Sequence, residues 1–289
     1  MATDSKSYTF KYFNVTFPQE YVAHVEINRA EKMNAFVEAM WLELRRVFDQ
    51  LSHDSSVRAI VLSGAGDRAF TAGLDVQAAS SQDGLLAATT SESDPALDAG
   101  RIAVRLRRHI ADFQDCITAV ERCEKPVIAA MHGYVLGLGI DLSTAADVRL
   151  CARNTRFAVK EVDIGLAADI GTLSRLPKVV GHYGWVKEVS LTARQFGPDE
   201  ALRVGFVNAV YDDKAKTVQA AIDMAVLIAS KSPIAVQGTK ELLNWSRDHS
   251  VQDGLRYTSV WNSAALQTKD VTAAMLSGLQ KRTPTFQKL

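Results

Sequence analysis

The chain has 289 residues and a mass of 31.6 kDa, enough to bury a sizeable core. Its 33 basic residues balance 33 acidic ones, so the cationic excess that binding to a phosphate backbone requires is missing, and nucleic acid is not an expected partner. Cys116, Cys123 and Cys151 form no C-x-x-C pair, which leaves a disulfide framework or a Cys/His zinc site without a starting point, and no metal is expected.

The opening stretch, "MATDSKSYTFKYFNVTF", lacks both the apolar core of a secretory signal and the arginines of a transit peptide. "YTFKYFNVTFP" and "YVAHVEINR" then read as strands, because alternating β-branched and aromatic residues suit a pleated surface. "NAFVEAMWLELRRVFDQLSH" puts Phe36, Met40, Leu44, Val47 and Leu51 at helical spacing, and "VRAIVLSGAG" returns to a strand. "GDRAFTAGLDV" follows with a glycine turn at Gly73, and residues 77–100, rich in Ser, Asp, Ala and Gly, predict a loop or a short helix. The next helix carries Ile102, Leu106, Ile110, Phe113, Ile117 and Val120 in one stripe, which predicts core packing. "PVIAAMHGYV" reads as one strand, with His132 as a satisfied strand-end histidine. The apolar run "PVIAAMHGYVLGLGI" is shorter than the ~18 residues of a membrane span. Beyond Pro198 the pattern is helical, predicting an α/β core over residues 1–197 and a helical subdomain over 198–289 that serves subunit contact.

Chemistry concentrates in two glycine turns and one acidic stretch. "GYVLGLGIDLSTAAD" lies between a predicted strand and a predicted helix, but a dinucleotide fingerprint would need glycine where Leu142 stands. Such a turn can instead offer the unpaired N–H groups at a helix start to an oxygen that gains negative charge. A turn that merely needs positive φ is the competing reading. "FAVKEVDIGLAADIG" sets Glu161, Asp163 and Asp169 among apolar residues. Asp169 could cap the following helix or act chemically, Asp163 reads as structural or solvent-facing, and Asp147 as a partner of local main chain.

"INRAEKMNAF", "AFTAGLDV", "KPVIAAMHGYVLGLGIDLSTAADVRLCA" and "FAVKEVDIGLAADIGTLSRLPKVVG" together resemble the enoyl-CoA hydratase/isomerase (crotonase) superfamily. "VKEVDIGLAAD" and "WNSAALQTKD", with the ending "TFQKL", most resemble its dienoyl-CoA isomerases. The resemblance implies an α/β spiral of ββα units with a helical C-terminal trimerisation region, assembled as a homotrimer or a dimer of trimers. It implies an acyl-CoA thioester as substrate, with no metal and no redox cofactor. The main-chain N–H groups of Leu74 and Leu138 would hold the thioester oxygen, although the family commonly has glycine at the latter position. Ala72, Gly73, Gly137 and Gly139 would border the substrate, and Arg29 and Lys32 the CoA moiety.

By the same resemblance Asp141, Glu161 and Asp169 are the pocket carboxylates. In a 3,5-dienoyl thioester, C2 and C6 lie about 5 Å apart, too far for one fixed carboxylate. Glu161 is therefore assigned as base at C2, Asp169 as acid at C6 and Asp141 as a tuning or holding group. Leu166, Ala167 and Ala168 would help Asp169 keep its proton. An enoyl-CoA hydratase, a Δ3,Δ2 isomerase, and a crotonase-fold binding protein without turnover are the alternatives. The Gln287-Lys288-Leu289 ending resembles a peroxisomal address of Ser-Lys-Leu type, with mitochondrial or cytoplasmic residence as the other options.

Overall fold

The computed structural model describes residues 8–80 and 98–289, so residues 81–97 of the predicted loop lie outside the described residues. The chain opens with β1 (Phe13–Gln19) and β2 (Val22–Ile27), paired antiparallel across a turn at Tyr21. A 3-10 turn (Ala30–Lys32) leads to α1 (Glu38–Ser52), where Met40, Trp41, Leu44, Val47, Phe48 and Leu51 form the buried stripe that their spacing predicts.

From here one pattern recurs. A strand enters the main sheet, a three-residue strand enters a smaller one, and a helix follows. The first round is β3 (Ala59–Gly64), β4 (Ala69–Thr71), the short α2 (Val76–Ala79) and α3 (Ala99–Arg122). The second is β5 (Val127–Met131), β6 (Tyr134–Leu136) and α4 (Leu138–Ala145). The third is β7 (Val148–Ala152), β8 (Arg156–Ala158), a 3-10 turn (Glu161–Ile164), α5 (Thr172–Val179) and α6 (Tyr183–Thr192). With α7 (Pro198–Arg203) and β9 (Ala209–Tyr211) added, the main sheet runs β1-β2-β3-β5-β7-β9, and the small sheet β4-β6-β8 is wholly parallel. This is the α/β spiral of ββα units that the resemblance implies.

Period-two alternation explains why β3 and β5 are buried on both faces. Ile60, Leu62, Val127, Ala129 and Met131 turn toward the larger core with the stripes of α1 and α3, while Ala59, Val61, Ile128 and Ala130 turn the other way. The second face is closed by α8 (Lys214–Ala229), whose buried Ala221, Ala225 and Ala229 recur every fourth residue and let the helix lie close on the sheet. Packing therefore shows no break at 197/198, because β9 and α8 still belong to the core layers. The helices that add little to the core are α9 (Pro233–Ser246), α10 (Val251–Ala265) and α11 (Lys269–Leu279). They are tied down locally: Lys240 reaches Asp147 at 2.8 Å, and the same carboxylate oxygen accepts from Val127 N at 2.7 Å. Among the described residues no single helix is long and apolar enough to cross a membrane.

"PVIAAMHGYV" is two strands in two sheets rather than one. Gly133 has φ +56°, and a Cβ there would sit 2.1 Å from the carbonyl oxygen of Arg68, so the chain turns sharply at a place where only glycine fits. His132, just before the turn, is fully buried and bonds Gly66 O through Nε2 at 2.9 Å, and burial pushes its pKa down to about 4. Gly133→Ala is expected to cost on the order of 3 kcal/mol through strain and steric clash. Equilibrium urea unfolding would measure it, and an unchanged midpoint would contradict this account of the turn.

Candidate active site

Because β4 and β6 are parallel neighbours, the turns at their C-terminal ends lie side by side. Gly73 (φ +94°) and Gly137 (φ +50°) adopt left-handed conformations, and a Cβ on Gly73 would lie 2.9 Å from Leu136 O and 3.8 Å from Leu138 N. The Gly73 turn is locked from below. Asn34, fully buried, donates to the carbonyls of Ala65 and Ala69, both at 2.9 Å. Thr71 Oγ1 donates to Asn34 O at 2.7 Å and accepts from Gly73 N at 3.1 Å. Phe36 N bonds Gly73 O and Asp75 N bonds Phe36 O, which leaves the intervening N–H of Leu74 without a partner among the described residues. Leu138 is the first residue of α4, and its N–H is likewise unpaired there. Its side chain, where the family commonly has glycine, packs into the main core at 3% exposure, so the departure costs the main-chain donor nothing.

Both turns line a cleft of about 310 Å³ with mostly apolar walls. Ala72, Gly73, Leu74, Gly137 and Leu138 form one side, and Glu161 and Asp169 supply carboxylates. Glu161 follows β8, which an aromatic cluster of Phe157, Trp185, Phe196 and Phe206 holds in place. Its Oε1 lies so close to Gly137 that a Cβ there would be 3.2 Å away, while Oε2 is buried without a partner. Burial, with a smaller contribution from Asp169, raises its pKa.

Asp141 stands behind the cleft rather than on its wall. It is fully buried, with Oδ1 accepting from Thr172 N at 2.5 Å and Oδ2 unpaired. Burial first, and then the charge of Glu161, push its pKa up to about 7. The cap of α5 is thus served by Asp141 and not by Asp169, whose side chain makes no capping bond. Asp169 is held through its main chain, with Gln114 Nε2 donating to its carbonyl at 2.6 Å. Partial burial raises its carboxyl pKa, and His109 across the cleft opposes the rise.

Several expectations need correction. Leu166 and Ala167 are exposed, because the stretch between the 3-10 turn and α5 runs along the cleft rim; only Ala168 of that trio is buried. Leu166 nonetheless lines the cleft, where Ile164, Ile170 and the α3 residues Leu106, Ile110 and Phe113 complete its apolar walls. The α3 stripe is therefore divided. Ile117 and Val120 are core, while its N-terminal half walls the cleft, a use that helical spacing alone does not reveal. Gly139 does not line the cleft; it lets α4 rest on the small sheet, where a Cβ would meet Thr71 and Val135 at 3.1 Å. Arg29 is engaged with Asp75 at 2.8 Å and with Ala35 O at 2.7 Å, while Lys32 is exposed, and neither lines the cleft. Asp163 pairs with Lys160. Sequence reading missed Asn34 and Thr71, whose one signal was a polar residue inside each of the apolar runs "MNAF" and "AFTAG". Among the described residues no group of three or more His, Cys, Asp or Glu side chains converges as metal ligands would.

This fold, with two facing glycine turns and acids in an apolar cleft, has a family. The sequence profile of the enoyl-CoA hydratase/isomerase family matches residues 22–225, and the chain belongs to that family. It is 45% identical to the mitochondrial Δ(3,5)-Δ(2,4)-dienoyl-CoA isomerase of Mus musculus, over 98% of this chain and 84% of that one. It is 41% identical to the peroxisomal Δ(3,5)-Δ(2,4)-dienoyl-CoA isomerase of Arabidopsis thaliana, over 93% of each. Among solved structures, the enoyl-CoA hydratase of Bacillus anthracis superposes with a TM-score of 0.82 at 27% identity, covering 96% of this chain and 99% of that one.

The buried acid behind the cleft has a measurable consequence. With its pKa raised from 3.8 to about 7, Asp141 takes up a proton on folding between those values, so its contribution to stability falls as pH rises through that window. Asp141→Asn keeps the acceptor for Thr172 N and is expected to remove a decline on the order of a few kcal/mol. Urea midpoints measured from pH 5 to pH 8 test this; the same slope in both proteins would contradict it.

Proposed function

We propose that this chain isomerises a 3,5-dienoyl-CoA thioester to the 2,4-dienoyl-CoA in fatty-acid β-oxidation. The observation that carries this reading is the pair of carboxylates, Glu161 and Asp169, on one apolar cleft with the unpaired N–H groups of Leu74 and Leu138. The thioester oxygen accepts from both N–H groups, and Glu161 removes a proton from C2. The resulting charge spreads onto that oxygen and along the diene, and the N–H groups gain most of their hold as it develops. Asp169, whose carboxyl pKa is raised by partial burial, is the acid that donates to C6. Asp141, behind Glu161, sets how readily that base ionises, because two neighbouring carboxylates resist losing their protons together.

Toward CoA, Lys32 is the exposed cation available to the phosphates, while Arg29 shapes the loop through Asp75. The unpartnered apolar side chains on the C-terminal helices, among them Leu243, Val251, Leu255, Val260, Met275 and Leu279, support assembly as a homotrimer or a pair of trimers. Sedimentation equilibrium is expected to return a multiple of three times the 31.6 kDa chain, and a monomer would rule this out.

The relatives include mitochondrial and peroxisomal enzymes, and Gln287-Lys288-Leu289 supports the peroxisomal compartment. Removing those three residues from a tagged protein is expected to disperse it from peroxisomes; an unchanged distribution would show that they are not its address. Glu161→Gln should lower kcat by about a thousandfold while thioester binding persists, since base catalysis and binding draw on different groups. Asp169→Asn should impair dienoyl isomerisation far more than any 2-enoyl-CoA hydration, and equal losses would reduce Asp169 to a structural residue.

A further inference from the structure

The isomerisation proposed above, on which this inference rests, conserves the protons of the substrate but not their positions on the protein. The C2–H bond breaks and its proton goes to Glu161; the electron pair moves along the conjugated chain, and a C6–H bond forms with the proton of Asp169. After one turnover Glu161 holds a proton too many and Asp169 one too few. A second turnover needs Asp169 to gain a proton and Glu161 to release one, with no net uptake. Product seated against the apolar walls of the cleft would displace water from that side of Asp169.

Asp169 also lines a second cavity, of about 280 Å³, on the far side of the same partition. The two cavities share only Asp169 and Ile170. The rear one is walled by polar side chains, including Gln114, Thr118, Ser174, Arg175 and Lys178, and has room for several waters. Its three cations are each engaged by one of two acids. Arg175 donates to Glu121 at 2.8 and 2.9 Å and to Thr118 Oγ1 at 2.9 Å, Arg247 pairs with the same Glu121, and Lys178 pairs with Asp248. The cavity reaches solvent past Ser174 and Lys178, both exposed. Its inner wall is held in place: Gln114 binds the main chain of Asp169, and Gly171, with φ +146°, leaves space for the Arg175 guanidinium that a Cβ would enter to 2.1 Å.

We propose that the rear cavity is the proton port of Asp169: its water returns a proton to that carboxyl between turnovers without passing through the substrate cleft. Glu161 gives up the proton it took from C2 to solvent as the product leaves, so the cycle closes in balance.

Ser174→Cys places a thiol on the exposed rim, and the three native thiols are buried, so benzyl methanethiosulfonate can plug the port on an already folded protein. Before modification, kcat is expected within about twofold of the parent protein. After stoichiometric modification, a burst of one product per site should precede a steady state slowed by about fivefold or more, while the single-turnover rate with excess enzyme is unchanged. Dithiothreitol should restore the steady state. Lys178→Cys, elsewhere on the rim, repeats the test in a second protein. A modified enzyme with full steady-state rate, or with single-turnover and steady-state rates falling together, would overturn the proposal. Absence of dienoyl turnover in the parent protein would remove the reaction on which it rests.

Discussion

Two three-residue strands, β4 and β6, lie parallel, and each ends in a glycine turn with positive φ. That pairing is the constraint on which the site depends, because it fixes the unpaired N–H groups of Leu74 and Leu138 on one wall of the cleft. Donors set by folding need no reorganisation when charge develops on an oxygen between them. Strands this short could not hold the geometry alone. Asn34 and Thr71 tie the first turn to β4 and to the loop before α1, and the main sheet beneath is buried on both faces.

The acids are graded by depth. Asp169 is partly open at the rim, Glu161 is largely enclosed on the wall, and Asp141 is wholly buried behind it. Burial is the leading cause of the raised pKa in all three. Depth alone would leave Asp141 too costly to ionise, but Thr172 N at the start of α5 and the nearby Arg175 guanidinium pull its pKa back toward neutrality. Arg175 is itself held by Glu121, and Glu121 also pairs with Arg247 at the C-terminal end of α9. The helical C-terminal region is thus joined to the buried acid by a short chain of charges.

Much of this was legible in the residues. The α1 stripe and the β2 and β3 strands declare themselves by period, and the glycine turns and acids by motif. What was not legible has physical reasons. Three-residue strands such as β4 and β8 are too short to show alternation, and the break inside "PVIAAMHGYV" depends on the carbonyl of Arg68, distant in sequence. The α3 stripe has one helical period, yet half of it faces a core and half a cleft, because its neighbours change along its length. The depths of Asp141 and Asp169 were hidden for the same reason: the apolar text around Asp169 lies on the rim, and Asp141 is enclosed by elements far away in sequence.

The central claim is that Glu161 and Asp169 act together on a conjugated thioester held by two main-chain donors. The most direct measurement is to mix the purified protein with a 3,5-dienoyl-CoA and follow the ultraviolet absorbance of the 2,4-dienoyl-CoA, with 2-enoyl-CoA hydration run alongside. The account predicts dienoyl turnover much faster than hydration. Brisk hydration with no dienoyl product would contradict it, leaving the two donors in place and Asp169 without a chemical role.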